Sequence, residues 1–442
     1  MNALRLGMDV LSPMIEPGSG SGGGGGTGHG LEGNGPASEP RDPLGEADST
    51  VAQRVVSPLE RIELPTGARL GWVFARGWKG RRCRLVMNPD QGACYHIMSR
   101  TAGGERLLGN LEKEALRRLM WRLARFSGLE IRTYAVMENH FHILARVPSR
   151  DQFVLRFSGE GGEERLFEHL HLLYSKKYIA TLRAELADLR KRGMAREADD
   201  LIAGYLRRFC NLPLFVKELK ERFSRWYNRH RDRRGTLWME RFKSVLVEDG
   251  EALRTMAAYI DLNPVRAGIA RDPKDYRWCG YGEAMGGGKA ARLGLSHVVG
   301  HGARGELAWE VPAVAKGMSA AEIYRCWLFE DGKSSESPIA DGLAHSGVNP
   351  ATRKVAKAGF GKEQTETTRH RKGKLSRLTL LRCRVRYFSD GLVLGSEAFV
   401  EGVFAQHRGH FGPARKTGAR TLREDAHGSL FTARQLAVRA VE

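Results

Sequence analysis

Tyr134 to Val147 reads YAVMENHFHILARV, two apolar-rich runs on either side of Glu138-Asn139, with two histidines one residue apart in the second run. Runs of this composition separated by so short a polar break predict a tight β-hairpin, LEIRTYAVM against HFHILARVP. On a strand successive side chains face opposite ways, so His140 and His142 share one face and Phe141 points to the other. Side by side, two imidazoles can grip one divalent metal ion. Taken alone the pair is a weak signal, because histidines on an apolar strand are more often exposed or hydrogen-bonded than metal-bound.

Reading outward completes a fold. Upstream, ACYHIMSR (93–100) predicts a strand, and Leu111 to Ser127 an amphipathic helix with Leu111, Ala115, Leu119, Leu123 and Phe126 on one side. Gly128 ends that helix. Downstream, LPLFVKELKERFSRWYNRHR predicts a second helix with Leu214, Phe215, Leu219, Phe223 and Trp226 as its apolar positions. TLWMERFKSVLVED follows as the closing strand. The order βαββαβ indicates an α+β, ferredoxin-like fold. One more helix, GEALRTMAAYIDLNPVRAG, must stop near Leu262 or Asn263, since Pro264 disfavours helical geometry in the residue before it.

That last helix supplies reactive groups. Tyr259 and Asn263 are four residues apart and therefore lie about one turn apart on one face. A tyrosine can attack a phosphodiester and retain the cleaved strand, while a metal ion held by imidazoles polarises the phosphate. The amide oxygen of Asn263 is the candidate third ligand, and so hard and open a site suits Mg²⁺ or Mn²⁺, with Zn²⁺ also compatible with two neutral imidazoles. A tyrosine on an amphipathic helix is ordinarily a core residue, and Asn before Pro ordinarily a helix stop. Their joint occurrence with the histidine pair is what raises each of them.

Composition narrows the partner. Across 442 residues, 71 Lys and Arg against 51 Asp and Glu leave a formal charge of +20, which favours a polyanion and, first among these, nucleic acid. No apolar run approaches the length of a membrane-spanning helix, and the N-terminus is a poor signal peptide. Cys83, Cys94, Cys210, Cys279, Cys326 and Cys383 form no C-x-x-C pair and read as reduced thiols of a cytosolic protein. The glycine run SGSGGGGGTGHG is not followed by Gly-Lys-Ser/Thr and does not read as a phosphate loop. Arg100, Arg241, Lys243 and Arg266 are placed to meet phosphates, and Trp238, Tyr276 and Trp278 to stack on unpaired bases.

Four segments, CYHIMSR, YAVMENHFHILARVP, GTLWMERFKSVLV and YIDLNPVRAGIARDPKDYRWCGYG, together resemble the IS200-like single-tyrosine HUH transposases. The closer resemblance is to the branch associated with repetitive extragenic palindromes (REPs). It implies a single-stranded DNA endonuclease and strand transferase that acts at palindromic hairpins through a 5′-phosphotyrosine, without a nucleotide cofactor. On that pattern His140 and His142 are the metal-binding pair, Tyr259 the nucleophile and Asn263 the remaining ligand. Asn139 adjoins the pair and joins the DNA-binding set. The branch resembles monomers and implies a bacterial, nucleoid-associated protein in the cytoplasm.

The domains expected are a disordered or irregular extension over 1–86, a transposase domain over 87–285 with a solvated helical insertion at 151–210, a connecting region and linker over 286–375, and a basic accessory DNA-binding module over 376–442. Within that module LLRCRVRYFSD is expected as a strand and GLVLGSEAFVEGVFAQHRGHF as a turn and helix. Met87, where regular patterning begins, is a candidate start. Two other readings stay open: a non-catalytic nucleic-acid-binding sheet, and a metal-dependent phosphoesterase that uses water.

Overall fold

A computed structural model describes residues 92–300, 319–329, 387–422 and 430–434. The expected N-terminal extension, Met87, residues 301–318 and 330–375 of the expected connecting region and linker, and the first part of LLRCRVRYFSD lie outside these residues. The described chain is α+β, with a mixed seven-stranded sheet in the order β2-β3-β1-β4-β5-β7-β6.

The first four strands are Ala93–Arg100 (β1), Glu130–Val136 (β2), His140–Val147 (β3) and Lys243–Val247 (β4). Helix α1, Asn110–Ser127, joins β1 to β2. The hairpin between β2 and β3 turns over Met137–Asn139, closed by Met137 N–H donating to His140 C=O at 2.8 Å. β1 lies between β3 and β4, antiparallel to both. The expected closing strand is shorter than the sequence pattern suggests. Trp238 makes only an isolated bridge to Thr101, and regular pairing starts at Lys243.

Helix α1 ends at Gly128, whose left-handed φ of 72° suits a residue without Cβ, and its N–H donates to Ala124 C=O. Its buried stripe is Leu116, Leu119, Met120, Leu123 and Phe126, while Leu111 is exposed. Leu119, Leu123 and Phe126 are thus buried as expected and Leu111 is not, because the partner surface and not the helix alone selects which apolar positions are covered.

Between β3 and β4 the insertion forms α2 (Arg150–Val154), α3 (Gly162–Leu170), α4 (Lys176–Lys191) and α5 (Ala195–Leu206), and α6 (Leu212–His230) follows. The expected solvated hairpin is present as α4 and α5 but is not simply solvated. Leu166, Leu170, Ile179, Leu182 and Leu186 join Phe126 and Phe209 in the main apolar core. Charged residues fill the sequence there, yet an apolar residue every three or four positions is enough to anchor each helix.

The sheet has two differently clothed faces. Tyr95, Ile97, Phe141, Ile143 and Tyr134 point into a core shared with α1 and α6. Cys94, Leu144, Ala135, Val245 and Val247 point the other way, into a second core. That second core is built by α7 (Glu251–Asp261), with α8 (Asn263–Arg266), α9 (Gly280–Met285), α10 (Lys289–Val299) and α11 (Ala320–Leu328) following it in the chain. Helix α7 ends at Asp261, one residue before the expected stop, but Asn263 itself stays helical and opens α8, so Pro264 sits in a first turn, where its missing N–H costs nothing, instead of driving Asn263 out of helical geometry. Packing of α10 on β2 is close. A Cβ added at Gly294 would lie 2.6 Å from the carbonyl oxygens of Arg132 and Ile131.

The carboxy-terminal segment enters the same sheet. Val393–Gly395 (β5) pairs parallel to β4, and Arg420–Thr421 (β6) and Phe431–Thr432 (β7) continue from it. Tyr387–Asp390 form a helical turn, α12, where a strand was expected. Burial of Tyr387 and Phe388 in the second core accounts for the apolar character that suggested one. The expected helix after it is present as α13, Glu397–Gln406, but the residues expected as a turn before it form strand β5, because they pair with β4.

Candidate active site

The site lies on the sheet face that α7 covers. Cross-strand pairing puts Met98 opposite His142 and Arg100 opposite His140, so His96, Met98 and Arg100 of β1 share that face with the histidine pair. Tyr259 reaches the same place from α7. Its ring lies 6.1 Å from that of His142 and 6.3 Å from that of His96. His140 and His142 are 5.0 Å apart, edge to face.

Each histidine of the pair is held through Nδ1. Asn139 Nδ2 donates to Gly104 C=O at 2.9 Å, which fixes the amide so that its oxygen faces His140 Nδ1 at 2.6 Å. A carbonyl and an amide oxygen only accept, so the proton is on Nδ1 of His140. His142 Nδ1 is 2.8 Å from Nε2 of His96, with the two rings stacked 5.0 Å apart. Among the described residues, Nε2 of His142 has no hydrogen-bond partner.

Burial governs the charge here. It pushes His96 down to about 4, and it is also the first cause holding His142 well below the ordinary histidine range, followed by the neighbouring His96, His140, Arg266 and Arg100. Neutral imidazole is the ligand form for a metal ion.

Tyr259 is 4% exposed. Phe388 lies against it, ring to ring at 4.7 Å, and the Arg266 guanidinium sits 4.1 Å from its ring centre while donating to its backbone carbonyl at 3.2 Å. One turn on, Asn263 is buried, and its Nδ2 has no partner among the described residues. Between them Asp261 points away from the histidines into a polar knot. Its carboxylate accepts from Thr133 Oγ1 at 2.8 Å, Tyr281 N–H at 3.0 Å and Tyr324 Oη at 2.7 Å. Burial raises its pKa to about 6 in spite of those donors. The knot ties α7 to β2, α9 and α11, and so fixes the rotation of the helix that carries Tyr259.

The other expected contacts separate. Arg100 and Arg266 border the histidines and the tyrosine. Arg241 is exposed just before β4. Lys243 pairs with Asp390 at 3.1 Å. Asn139 is committed to His140 and Gly104. Trp238 is a core residue and not a stacking platform, since Phe141 and Phe223 lie 5.4 and 5.9 Å from its ring and its Nε1 donates to Lys220 C=O. Trp278 is half-buried, with Lys113 Nζ 4.9 Å from its ring and an Nε1 that has no partner among the described residues. Tyr276 is buried beside it, its hydroxyl donating to Val136 C=O. His96 and Phe388 were not among the expected residues. The alternation of CYHIMSR already placed His96 on the face of Arg100, but only the neighbouring strand shows what it meets.

Among the described residues, no cluster of three or more His, Cys, Asp or Glu is arranged to hold a metal ion. The expected site has two imidazoles and an amide, a different set. Its donors fit a divalent ion in one respect, that both imidazoles are hydrogen-bonded through Nδ1, whereas the unpartnered atom of Asn263 is Nδ2, a hydrogen-bond donor and not a metal ligand.

No family model and no curated protein matches the chain. Among solved structures, the chain is similar to a REP-associated tyrosine transposase bound to a REP hairpin, at 14% identity and a TM-score of 0.29, over 48% of this chain and 87% of that one. At that distance the likeness is too faint to carry a fold or a chemistry from one chain to the other. No helix among the described residues is long and apolar enough to cross a membrane.

Proposed function

We propose that this protein is a metal-dependent single-stranded DNA endonuclease and strand transferase of the single-tyrosine HUH type, acting at palindromic hairpins. The observation that carries the reading is the meeting of Tyr259 with the His140–His142 pair on one sheet face, with rings 6.1 Å apart between Tyr259 and His142. The strand order β2-β3-β1-β4, with α1 and α6 on one face and α7 on the other, supports the ferredoxin-like form of this fold. A net charge of +20 supports a polyanionic substrate.

In this reading His140, His142 and Asn263 hold Mg²⁺ or Mn²⁺, which when bound polarises the scissile phosphate and offsets the charge that develops on it. Tyr259 Oη attacks phosphorus and loses its proton to solvent. The bond from phosphorus to the 3′ oxygen breaks, that oxygen is protonated as a 3′-hydroxyl, and the 5′ side stays on the tyrosine as a phosphodiester. Attack by another 3′-hydroxyl reverses the step and joins strands. Arg266 holds the tyrosine by its ring and its carbonyl, and Arg100 and Arg266 attract the phosphate. Arg241, Lys243 and Trp278 contact the DNA further out. Because Tyr259 is so little exposed, an arriving phosphate has to displace the Phe388 side chain or the Arg266 guanidinium.

The test is to incubate the full chain with end-labelled single-stranded hairpin DNA and Mn²⁺ and to separate products under denaturing conditions. A protein-linked label is expected, absent in Tyr259→Phe, in His142→Ala and with chelator. Cleavage without any adduct that survives Tyr259→Phe identifies a water nucleophile. Binding without cleavage, unaffected by chelator or by His140→Ala, identifies a binding module.

A further inference from the structure

A buried polar relay runs into the candidate site from the far end of the chain. Nδ1 of His96 lies 2.5 Å from the backbone carbonyl of Phe388, and Nε2 of His96 lies 2.8 Å from Nδ1 of His142. Both rings are almost fully buried, at 1% and 2% exposure.

The first link sets the others. A carbonyl oxygen only accepts, so His96 carries a proton on Nδ1. A second proton on Nε2 would make an imidazolium ion on a ring that is 1% exposed and beside the Arg266 guanidinium, and burying such a charge is strongly disfavoured. Nε2 of His96 is therefore an acceptor. The hydrogen bond to His142 then requires the proton on Nδ1 of His142, which leaves the lone pair of His142 on Nε2.

We propose that His96 is a positioning residue that, anchored by the Phe388 carbonyl, locks His142 in the tautomer and ring orientation that present Nε2 to a divalent cation. The proposal rests on the metal reading above. Asn139 and Gly104 do the same for His140 by a different route, so both imidazoles are set by partners behind them. The carboxy-terminal segment thereby becomes part of the ligand system, through a backbone atom that rotation of the Phe388 side chain leaves in place.

Two measurements on the full chain without DNA test this. Long-range proton–nitrogen spectra of ¹⁵N-histidine-labelled, metal-free protein read the tautomer of His142, assigned by its loss in His142→Ala. Titration with Mn²⁺, followed by the paramagnetic resonance of the free ion, reads affinity. The expected result is Nδ1–H on His142 in wild type, a mixed or reversed tautomer in His96→Leu, and Mn²⁺ binding weakened about 10- to 100-fold in that variant. His96→Gln, whose amide oxygen can accept from His142 Nδ1, is expected to restore both readouts towards wild type. Nε2–H on His142 in the wild type overturns the relay, as does unchanged Mn²⁺ affinity in His96→Leu. A wild type that binds no Mn²⁺ but carries Nδ1–H on His142 overturns the metal reading alone, and the tautomer separates the two failures.

Discussion

Replacing Asp261 by Asn should change how stability depends on pH, with a sign fixed by burial. The Asp261 carboxyl is 1% exposed and its pKa rises from 3.8 to about 6, chiefly because burial disfavours the charged form, with donors from Tyr324, Tyr281 and Thr133 opposing the rise. A carboxyl that holds its proton more tightly in the folded state makes the fold most stable below its unfolded pKa. That contribution is lost as pH rises through about 6. The shift is worth roughly 3 kcal/mol. Asn is neutral throughout, similar in size, and keeps one oxygen to accept from Tyr281 N–H. Buried His96 and His142 work in the opposite direction, since their stabilisation is present at neutral pH and lost as pH falls through their lowered values. The wild-type profile alone therefore mixes the two effects, and the difference between wild type and variant isolates Asp261. Urea unfolding of both proteins at several pH values between about 4 and 7 should show wild type gaining on Asp261→Asn by up to about 3 kcal/mol as pH falls. A constant difference across that range would refute the argument that this carboxylate is buried at a cost.

Other sites yield sharper mechanical tests. Glu283 accepts from Trp121 Nε1 at 2.9 Å and Tyr134 Oη at 2.6 Å and pairs with Arg117, so Glu283→Ala should destabilise by about 2–4 kcal/mol, read as a fall in the denaturant midpoint. Gly294→Ala should cost about 1–3 kcal/mol in the same assay, because two backbone carbonyls of β2 stand where the new methyl must go. Trp238→Ala should cost about 3–5 kcal/mol yet leave hairpin affinity per folded molecule unchanged, whereas a stacking role would show in the binding curve itself.

Much of the architecture is legible in the sequence. The period-two alternation around His140 and His142 and the Pro264 stop are local signals, set by backbone geometry within a few residues. What escaped depends on partners far away in the chain. His96 on CYHIMSR looks like any polar residue on a half-buried strand until β3 is laid beside it. Asp261 sits between two more conspicuous residues, and its donors come from β2, α9 and α11. Trp238 was expected to stack on bases, but the apolar surfaces of Phe141 and Phe223 draw it inward. The carboxy-terminal segment gave the least warning, because β5 has three residues and takes its place only by pairing with β4.

The bond between His96 and Phe388 spans 292 positions of chain. During synthesis at roughly 5–20 residues per second, the second partner follows the first by about 15–60 s, and it has still to clear the ribosome. Until then a growing chain carries the strand histidines and the tyrosine but not the contact that orders His142. On the proposed reading the contact that orders His142 forms only after Phe388 has been made, and a chain broken off before it carries His140, His142 and Tyr259 without that contact.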